Sequence, residues 1–308
     1  MNRNLLMSFF GVLTLGTLAL SRAAGPSTSP AFPTVVDQAH LHNAHVVTDK
    51  VISGAQPEGE ASFKALQELG VKTILSVDGA APDVETARKY GLRYVHMPIT
   101  YSGVTDDEGR AIAKSLVELP GPIYVHCHHG KHRSAAAVAV ACVYNGTLQP
   151  QQTQSVLQTF GTGKNYLGLW KAALEAKPLS PEELAGIKNE YVETAKLATF
   201  TEAMVGADQH WDHVKQMKEI GWRVPPDHPD LDPAHEVLQA NEHLREAARL
   251  PTTAARPEDF RKILDDAEQT TGKLSELLRA EPTDAKAADA LYQRATESCA
   301  ACHKVYRD

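Results

Sequence analysis

The sequence has no excess of positive charge and no repeat of fixed period. Its 308 residues include 31 Lys and Arg against 38 Asp and Glu, which gives a net charge of −7. This balance argues against nucleic-acid binding, because proteins of that class carry a basic face. Hydrophobic residues make up 43% and charged residues 22% of the chain. That composition is ordinary for globular protein, and the length is sufficient for two domains.

Long apolar runs are also scarce, and the one that could enter a membrane lies at the beginning. It extends from Leu5 to Leu20, follows Arg3 and precedes Ser21-Arg22-Ala23. The run is short for a membrane span, and the order of basic residue, apolar run and small residues is typical of a secretory signal peptide. We therefore predict a signal peptide at residues 1–23, a periplasmic mature protein and no stable membrane span after cleavage. An uncleaved anchor is the alternative.

The first half contains a cysteine and an arginine separated by five residues, Cys127 and Arg133. An apolar run at 122–125 predicts a strand before them, and the apolar run 135–143 predicts a helix after them. A tight loop between these elements directs its backbone N–H groups inward and binds a tetrahedral anion. The arginine and the helix N-terminus add positive charge at the same point. The alternative is a chance Cys and Arg in a strand-to-helix turn.

This loop predicts phosphoryl transfer without a metal. The Cys127 thiolate attacks phosphorus, and water then hydrolyses the phosphocysteine while Ser134 assists turnover. The predicted phosphate-binding residues are His128, His129, Gly130, Lys131, His132 and Arg133.

The segment from His126 to Ser134 resembles the signature of cysteine-dependent phosphatases, the protein tyrosine and dual-specificity family. The segments Val51–Pro57 and Val71–Leu75 are also similar to compact members of that family. The resemblance covers about residues 45–176 and implies a phosphatase-like α/β domain at 45–180, after a flexible lead-in at 24–44. The run Gly130–Arg133 resembles the loop of phosphatases that act on inositol phosphates, so phosphotyrosine-like and inositol phosphate monoesters are the implied substrates.

Alternating strand and helix patterns support a central sheet flanked by helices. The predicted strands are 46–52, 71–77, 92–97 and 122–125, and the predicted helices are 58–69, 82–90, 108–119, 134–143, 149–160 and 165–176.

A phosphatase of this type needs a general acid for the leaving oxygen, and the resemblance implies an Asp just beyond the strand that ends near Pro98. Residues 99–101 are Ile, Thr and Tyr, so the nearest acids are Asp106 and Asp107. Asp106 is the predicted acid; Asp107, or no acid at all, are the alternatives. Both carboxylates equally fit a helix N-terminus.

Cysteine is rare, and the four residues do not form an evident pair of disulfides. Cys127 belongs to the loop, and Cys299 and Cys302 belong to a motif near the C-terminus. Cys142 lies about 12 Å along the predicted helix from the loop, beyond the roughly 7 Å between Cα atoms that a disulfide allows. We therefore predict a buried, unreactive Cys142.

Strand patterns are absent after residue 180, and the motif Cys299-Ala-Ala-Cys302-His303 predicts covalent attachment of one haem c. The two thiols form thioethers, and His303 is the axial iron ligand. Ala288, Leu291, Ala295, Cys299, Cys302 and Tyr306 share one helix face. A redox dithiol or a zinc pair is the alternative.

Helical patterns at 183–220, 237–248 and 260–278, together with the attachment helix, resemble the four-helix cytochrome c-prime family over residues 181–308. The resemblance implies a sixth iron position, for which Met204 is the candidate ligand and Met217 and His210 are alternatives. It also matches Arg307 to a basic residue beside the axial His, and implies a homodimer.

The leading hypothesis is a periplasmic phosphatase-like domain fused to a cytochrome that transfers electrons or senses redox state, with a phosphorylated substrate and a redox partner protein. Two alternatives remain open. Cys127 could take sulfur from thiosulfate-like donors and pass electrons to haem, or the first domain could only bind an oxyanion in an electron-transfer or gas-sensing protein.

Overall fold

The computed structural model describes residues 32–226, 228–229, 231–280 and 283–306. A six-stranded sheet forms the centre of the first half, with strand order β1-β2-β3-β6-β4-β5. The strands are β1 (Thr34–Val35), β2 (His45–Thr48), β3 (Val51–Ala55), β4 (Thr73–Ser76), β5 (Arg93–His96) and β6 (Ile123–Cys127). The β1-β2 and β2-β3 pairs are antiparallel, and the β3-β6, β6-β4 and β4-β5 pairs are parallel.

Helices cover both faces of the sheet and form the whole second half. The first six are α1 (Gly59–Glu68), α2 (Val84–Lys89), α3 (Asp106–Glu118), α4 (Arg133–Tyr144), α5 (Thr153–Phe160) and α6 (Leu167–Glu175). The next six are α7 (Pro181–Gly186), α8 (Phe200–Glu219), α9 (Pro233–Ala248), α10 (Pro251–Ala254), α11 (Glu258–Leu278) and α12 (Ala285–Tyr306).

The parallel strands are buried on both faces, which explains their continuous apolar sequences. Ile123 and Val125 of β6 are fully buried, as are Ala135–Val143 of α4, which packs against the sheet. The register pairs Ala55 with Cys127, so β3 and β6 end together at the loop that follows β6. This arrangement confirms the predicted sheet with flanking helices.

The structure corrects two predictions near the start of this half. The predicted strand 46–52 is a hairpin of β2 and β3, because the chain reverses at Asp49 and Lys50. Residues 32–44, predicted to be part of a flexible lead-in, are fixed: β1 pairs with β2, and Leu41 and Ala44 are buried. The predicted signal peptide lies outside the described residues.

Four long helices, α8, α9, α11 and α12, pack side by side in the second half. The predicted helix 183–220 is not continuous: residues 183–186 belong to α7, residues 187–199 contain no helix, and α8 begins at Phe200. Thr199 caps α8: its hydroxyl accepts a hydrogen bond from the Glu202 N–H, and the Glu202 carboxylate accepts one from the Thr199 N–H. This capping box fixes the helix start.

Helix α9 joins the two halves. Its Leu238 is buried in the core of the sheet half, and residues 32–308 form one compact unit. The change from α/β to all-α structure near residue 181 therefore occurs within a continuous packed body. Within the described part of the chain, no helix is long and apolar enough to cross a bilayer.

Candidate active site

The segment 127–133 forms a tight loop between β6 and α4. Cys127 is the last residue of β6 and is 1% exposed, and Arg133 is the first residue of α4. Gly130 has φ +65°, and a Cβ there would lie 2.2 Å from Ala55 N and 2.2 Å from Gly54 C. Only glycine fits this backbone angle and this close approach to β3.

Carbonyl groups of the loop are held by hydrogen bonds from outside it. The N–H of Gln56 donates to the His128 carbonyl (3.2 Å), Asn43 Nδ2 to the Gly130 carbonyl (2.9 Å) and Thr162 Oγ1 to the Lys131 carbonyl (2.6 Å). Among the hydrogen bonds of the described residues, none uses a backbone N–H of 129–132. The amides are thus left to bind an anion, as a nest requires.

Cys127, the predicted nucleophile, lies beside Ser134. The Cys127 thiol donates to Ser134 Oγ at 3.4 Å, and both residues are buried. A hydroxyl at this distance stabilises sulfur as the leaving group when the phosphocysteine is hydrolysed. Ser134 thus lies within hydrogen-bond distance of the predicted nucleophile.

The guanidinium of Arg133 is buried, and part of its hydrogen-bonding capacity is already used within the protein. Its Nη2 donates to Tyr101 Oη (3.0 Å) and to Glu246 Oε1 (2.8 Å), and it lies 3.6 Å from Asp78 Oδ2. Its Nε is buried without a hydrogen-bond partner among the described residues. An unpartnered buried donor is costly. A phosphoryl oxygen is the acceptor that would satisfy it, since Arg binds phosphate with two parallel donors.

Glu246, Arg249 and Asp78 extend this network, and sequence reasoning missed all three. Arg249 Nη1 donates to Asp78 Oδ1 (2.8 Å) and to Glu246 Oε1 (3.2 Å). Burial raises the pKa of Asp78, but the charges of Arg133 and Arg249 outweigh it, so the pKa lies well below its usual value. Glu246 and Arg249 are more than 110 positions from the loop, so no local sequence pattern links them to it.

A cavity of about 310 Å³ opens in front of Arg133, between the sheet half and the helices. Its lining includes Gly79, Pro98, Tyr101, Lys196, Glu242 and Glu246. A substrate that approaches the guanidinium from this cavity meets one lysine and three carboxylates, because Glu202 also lines it.

The loop histidines, which were predicted to bind phosphate, have lowered pKa values. Burial lowers the pKa of His128 to about 4 and that of His132 to about 3, with nearby cations adding to both effects. Partial burial also lowers the pKa of His129, which is more exposed than His128. The histidines are therefore neutral at pH 7, and the positive charge of the loop comes from Lys131 and Arg133.

Asp106, the predicted general acid, does not lie at the loop. It is the first residue of α3, where its carboxylate accepts hydrogen bonds from Arg110 Nε (2.6 Å) and Tyr144 Oη (2.9 Å). Tyr144 ends α4 and lies about 16 Å from Arg133 along the helix. The hydrogen bond from Arg110 lowers the pKa of Asp106, which opposes proton donation. Asp107 is exposed on the same first turn.

Glu242 is a buried carboxyl group on the wall of the Arg133 cavity. Its Oε1 accepts hydrogen bonds from Tyr166 Oη and Arg245 Nη1, both 2.8 Å, while its Oε2 is buried without a partner in the described structure. Burial raises the pKa of Glu242 above its usual value, although Arg245 acts against it. Sequence reasoning also missed this residue.

The haem-motif residues lie on α12, as the helical pattern predicted. Cys299 and Cys302 are free thiols of intermediate exposure, and His303 is exposed. Burial raises the pKa of both thiols. Cys302 packs beside Met204 against an apolar cluster formed by Ala207, Leu244, Phe260, Leu264 and Ala267. His210 instead contacts Glu236, and Met217 is fully buried. Arg307 lies outside the described residues.

No protein-family model matches the chain. Its first half is similar to the dual specificity protein phosphatase TpbA of Pseudomonas aeruginosa. The protein of strain UCBPP-PA14 is 29% identical over 164 residues, covering 52% of this chain and 72% of the relative. The protein of strain PAO1 is 26% identical over 163 residues, with the same two coverages of 52% and 72%.

Two solved structures also align with this half. The crystal structure of P. aeruginosa TpbA has a TM-score of 0.43 and 24% identity, covering 48% of this chain and 92% of its own. The core catalytic domain of the PP-IP phosphatase SIW14 from S. cerevisiae, in complex with citrate, has a TM-score of 0.40 and 14% identity, covering 47% and 90%. The first half of the chain is thus similar in sequence to dual specificity protein phosphatases of P. aeruginosa.

Proposed function

We propose that the protein hydrolyses phosphate monoesters, of the phosphotyrosine or inositol phosphate kind, through a phosphocysteine at Cys127. The observation that carries the proposal is the anion site around that thiol. Free amides of residues 129–132 and the unpartnered Nε of Arg133 form a ring of donors, and no acceptor among the described residues fills it. Such donors act where charge develops on the transferring phosphoryl group.

Two steps complete the reaction. In the first, Cys127 Sγ forms a bond to phosphorus while the bond from phosphorus to the ester oxygen breaks, and the leaving oxygen takes a proton. In the second, water attacks phosphorus, the S–P bond breaks, and inorganic phosphate leaves with the thiolate restored. Ser134 Oγ, 3.4 Å from Cys127 Sγ, stabilises that thiolate. The amides and Arg133 stabilise the phosphoryl oxygens in both steps.

Hydrolysis of an aryl phosphate by the full chain tests this mechanism. We expect Cys127→Ser to abolish phosphate release, since a serine hydroxyl is not ionised at neutral pH. Cys142→Ser is the matched control, because Cys142 is buried and burial raises its pKa to about 12. Phosphate release that persists in Cys127→Ser would exclude Cys127 as the nucleophile. Mass spectrometry of acid-quenched enzyme should detect the phosphocysteine in the unaltered chain and in Cys142→Ser, but not in Cys127→Ser.

We further propose that α12 carries one covalently attached haem c. The donor set fits: two thiols and an imidazole lie within five residues of one helix, and the apolar cluster around Cys302 and Met204 offers a nonpolar wall. When bound, a haem supplies one-electron chemistry. Cys299 and Cys302 would attach the haem covalently, His303 would bind the iron, and Met204 is the candidate for a further iron ligand. With this haem, the protein would act as a homodimer and exchange electrons with a redox partner protein.

Spectroscopy and mass spectrometry test this second proposal. Protein purified from the periplasm of a host with haem-attachment machinery should give a c-type pyridine haemochrome spectrum. Its mass should equal the chain from residue 24 onward plus one haem. We expect the Cys299→Ser/Cys302→Ser variant to lose the covalent haem and Cys142→Ser to keep it. A full-length, haem-free protein recovered from the cytoplasm of that host would contradict both the haem and the export proposals.

A further inference from the structure

Helices α8 and α9 bring two histidines and a glutamate together. His210 Nδ1 and His213 Nδ1 each lie 2.8 Å from Glu236 Oε2. The three ligand atoms are within 4.8 Å of one another. The histidines are three positions apart, so α8 presents both rings on one face, and Glu236 extends toward them from the first turn of α9.

Glu236 lacks the charged partner that a buried carboxylate normally has. The residue is 4% exposed, and in the described structure no Lys or Arg forms an ion pair with it. Buried charges are usually paired or bind a metal, because removal from water is costly. Hydrogen bonds from two imidazoles compensate this cost only in part. A cation bound between His210 Nδ1, His213 Nδ1 and Glu236 Oε2 would offset the rest of this cost.

We propose that His210, His213 and Glu236 form a site for a divalent transition metal of the zinc class. Two imidazoles and one carboxylate are a three-ligand set typical of zinc sites that keep a fourth position for water. That position can face solvent, since the His213 side chain is 40% exposed. Binding needs both Nδ1 lone pairs, so in the metal-bound form each ring carries its proton on Nε2.

Only a small rearrangement is required for the ion to enter. A tetrahedral zinc with bonds of about 2.0–2.1 Å holds its ligand atoms about 3.3 Å apart. Each ring must therefore move by roughly half an ångström from its present 2.8 Å contact. The bound ion would connect α8 directly to the first turn of α9. The site contains no residue of the Cys127 loop or of the haem motif, so it is independent of the proposed phosphatase.

Metal analysis and calorimetry with zinc on the full chain test this proposal. We expect one zinc per chain, and at least a tenfold weaker affinity in His210→Ala, His213→Ala and Glu236→Gln. His228→Ala, which changes an exposed histidine outside the cluster, should bind within twofold of the unaltered chain. Cys299→Ser/Cys302→Ser should also retain the zinc, because those thiols are the competing metal ligands. Unchanged affinity in the histidine variants, or loss of zinc in the cysteine variant alone, would overturn the proposal.

Cobalt substitution of the unaltered chain provides a test that does not depend on the folding of any variant. A tetrahedral site of nitrogen and oxygen ligands should give visible d–d bands without a sulfur-to-cobalt charge-transfer band. A strong charge-transfer band, or no visible band at all with one equivalent of cobalt, would rule out the His210–His213–Glu236 site.

Discussion

Arg133 Nη2 donates a 2.8 Å hydrogen bond to Glu246 Oε1, although the two residues are 113 positions apart. Arg133 begins α4 at the phosphatase-like loop, and Glu246 lies in the last turn of α9. The carboxylate of the helical half thus takes one of the guanidinium donors that a phosphoryl group would use. Substrate must either displace Glu246 or bind through the remaining Nε, which is free.

This contact predicts that Glu246→Gln binds oxyanions more tightly. The substitution removes the negative charge that competes with substrate while keeping the size of the side chain. A hydrogen bond to a charged group contributes about 1.5–3 kcal/mol, so a decrease in KM of about tenfold with little change in kcat is expected. Inhibition by vanadate or inorganic phosphate should strengthen in parallel.

Glu276→Gln is the matched control for this experiment, since Glu276 is exposed on α11 away from the loop. It should leave KM unchanged. An increase in KM for Glu246→Gln would mean that Glu246 positions Arg133 for substrate instead of competing with it. Arg249 would then share that positioning role through its own bond to Glu246.

Gly130→Ala should remove phosphatase activity and destabilise the fold. A Cβ at Gly130 meets the backbone of Gly54 and Ala55 at 2.2 Å, in addition to the strain of φ +65°. The two effects together predict a loss of about 2–5 kcal/mol in the free energy of unfolding. Gly146→Ala is the control: φ is +76° but no atom lies within 4 Å of the added Cβ. Gly146→Ala should lower the free energy of unfolding by about 1–2 kcal/mol and leave phosphatase activity intact. Equal losses in the two variants, measured by urea denaturation, would contradict the steric argument.

The sequence predicts the sheet half and the loop well, because both depend on local patterns. Apolar strands, the Cys127–Arg133 spacing and the apolar α4 each lie within a few residues of their partners in the chain. The surroundings of Arg133 could not be predicted, since Glu242, Glu246 and Arg249 arrive by the packing of α9. Nor could the neutral state of the loop histidines, because it depends on burial in the folded chain and not on residue type.

The general acid that protonates the leaving oxygen is the feature least determined by local sequence. Phosphate esters whose leaving groups differ in basicity should identify it. Glu242→Gln is expected to lower kcat for alkyl phosphates at least tenfold and to spare aryl phosphates with acidic leaving groups, which need no proton. We expect this because burial raises the pKa of Glu242 and because Glu242 lies on the wall of the Arg133 cavity. Asp106→Asn should leave both rates unchanged, given its bonds to Arg110 and Tyr144 at the far end of α4. Selective loss of alkyl phosphate hydrolysis in Asp106→Asn would restore Asp106 as the acid and require α3 to move.

The buried His126 predicts a loss of stability in weak acid. Its Nε2 lies 2.7 Å from Tyr94 Oη, and burial lowers its pKa from 6.5 to about 4. In the unfolded chain the ring is protonated below about pH 6.5, whereas in the folded protein it stays neutral down to about pH 4. The unfolded state therefore binds more protons in this window, and stability falls as the pH falls through it. The shift corresponds to about 3 kcal/mol.

Urea denaturation between pH 4 and 7 measures this effect, with His126→Gln as the comparison. Glutamine does not titrate and can still hydrogen-bond to Tyr94, so its unfolding free energy should fall by about 3 kcal/mol less than that of the unaltered chain. The remaining slope, shared by both proteins, belongs to His128, His132 and the carboxylates. Parallel curves for the two proteins would show that His126 is protonated in the folded state, and that its buried position does not keep it neutral.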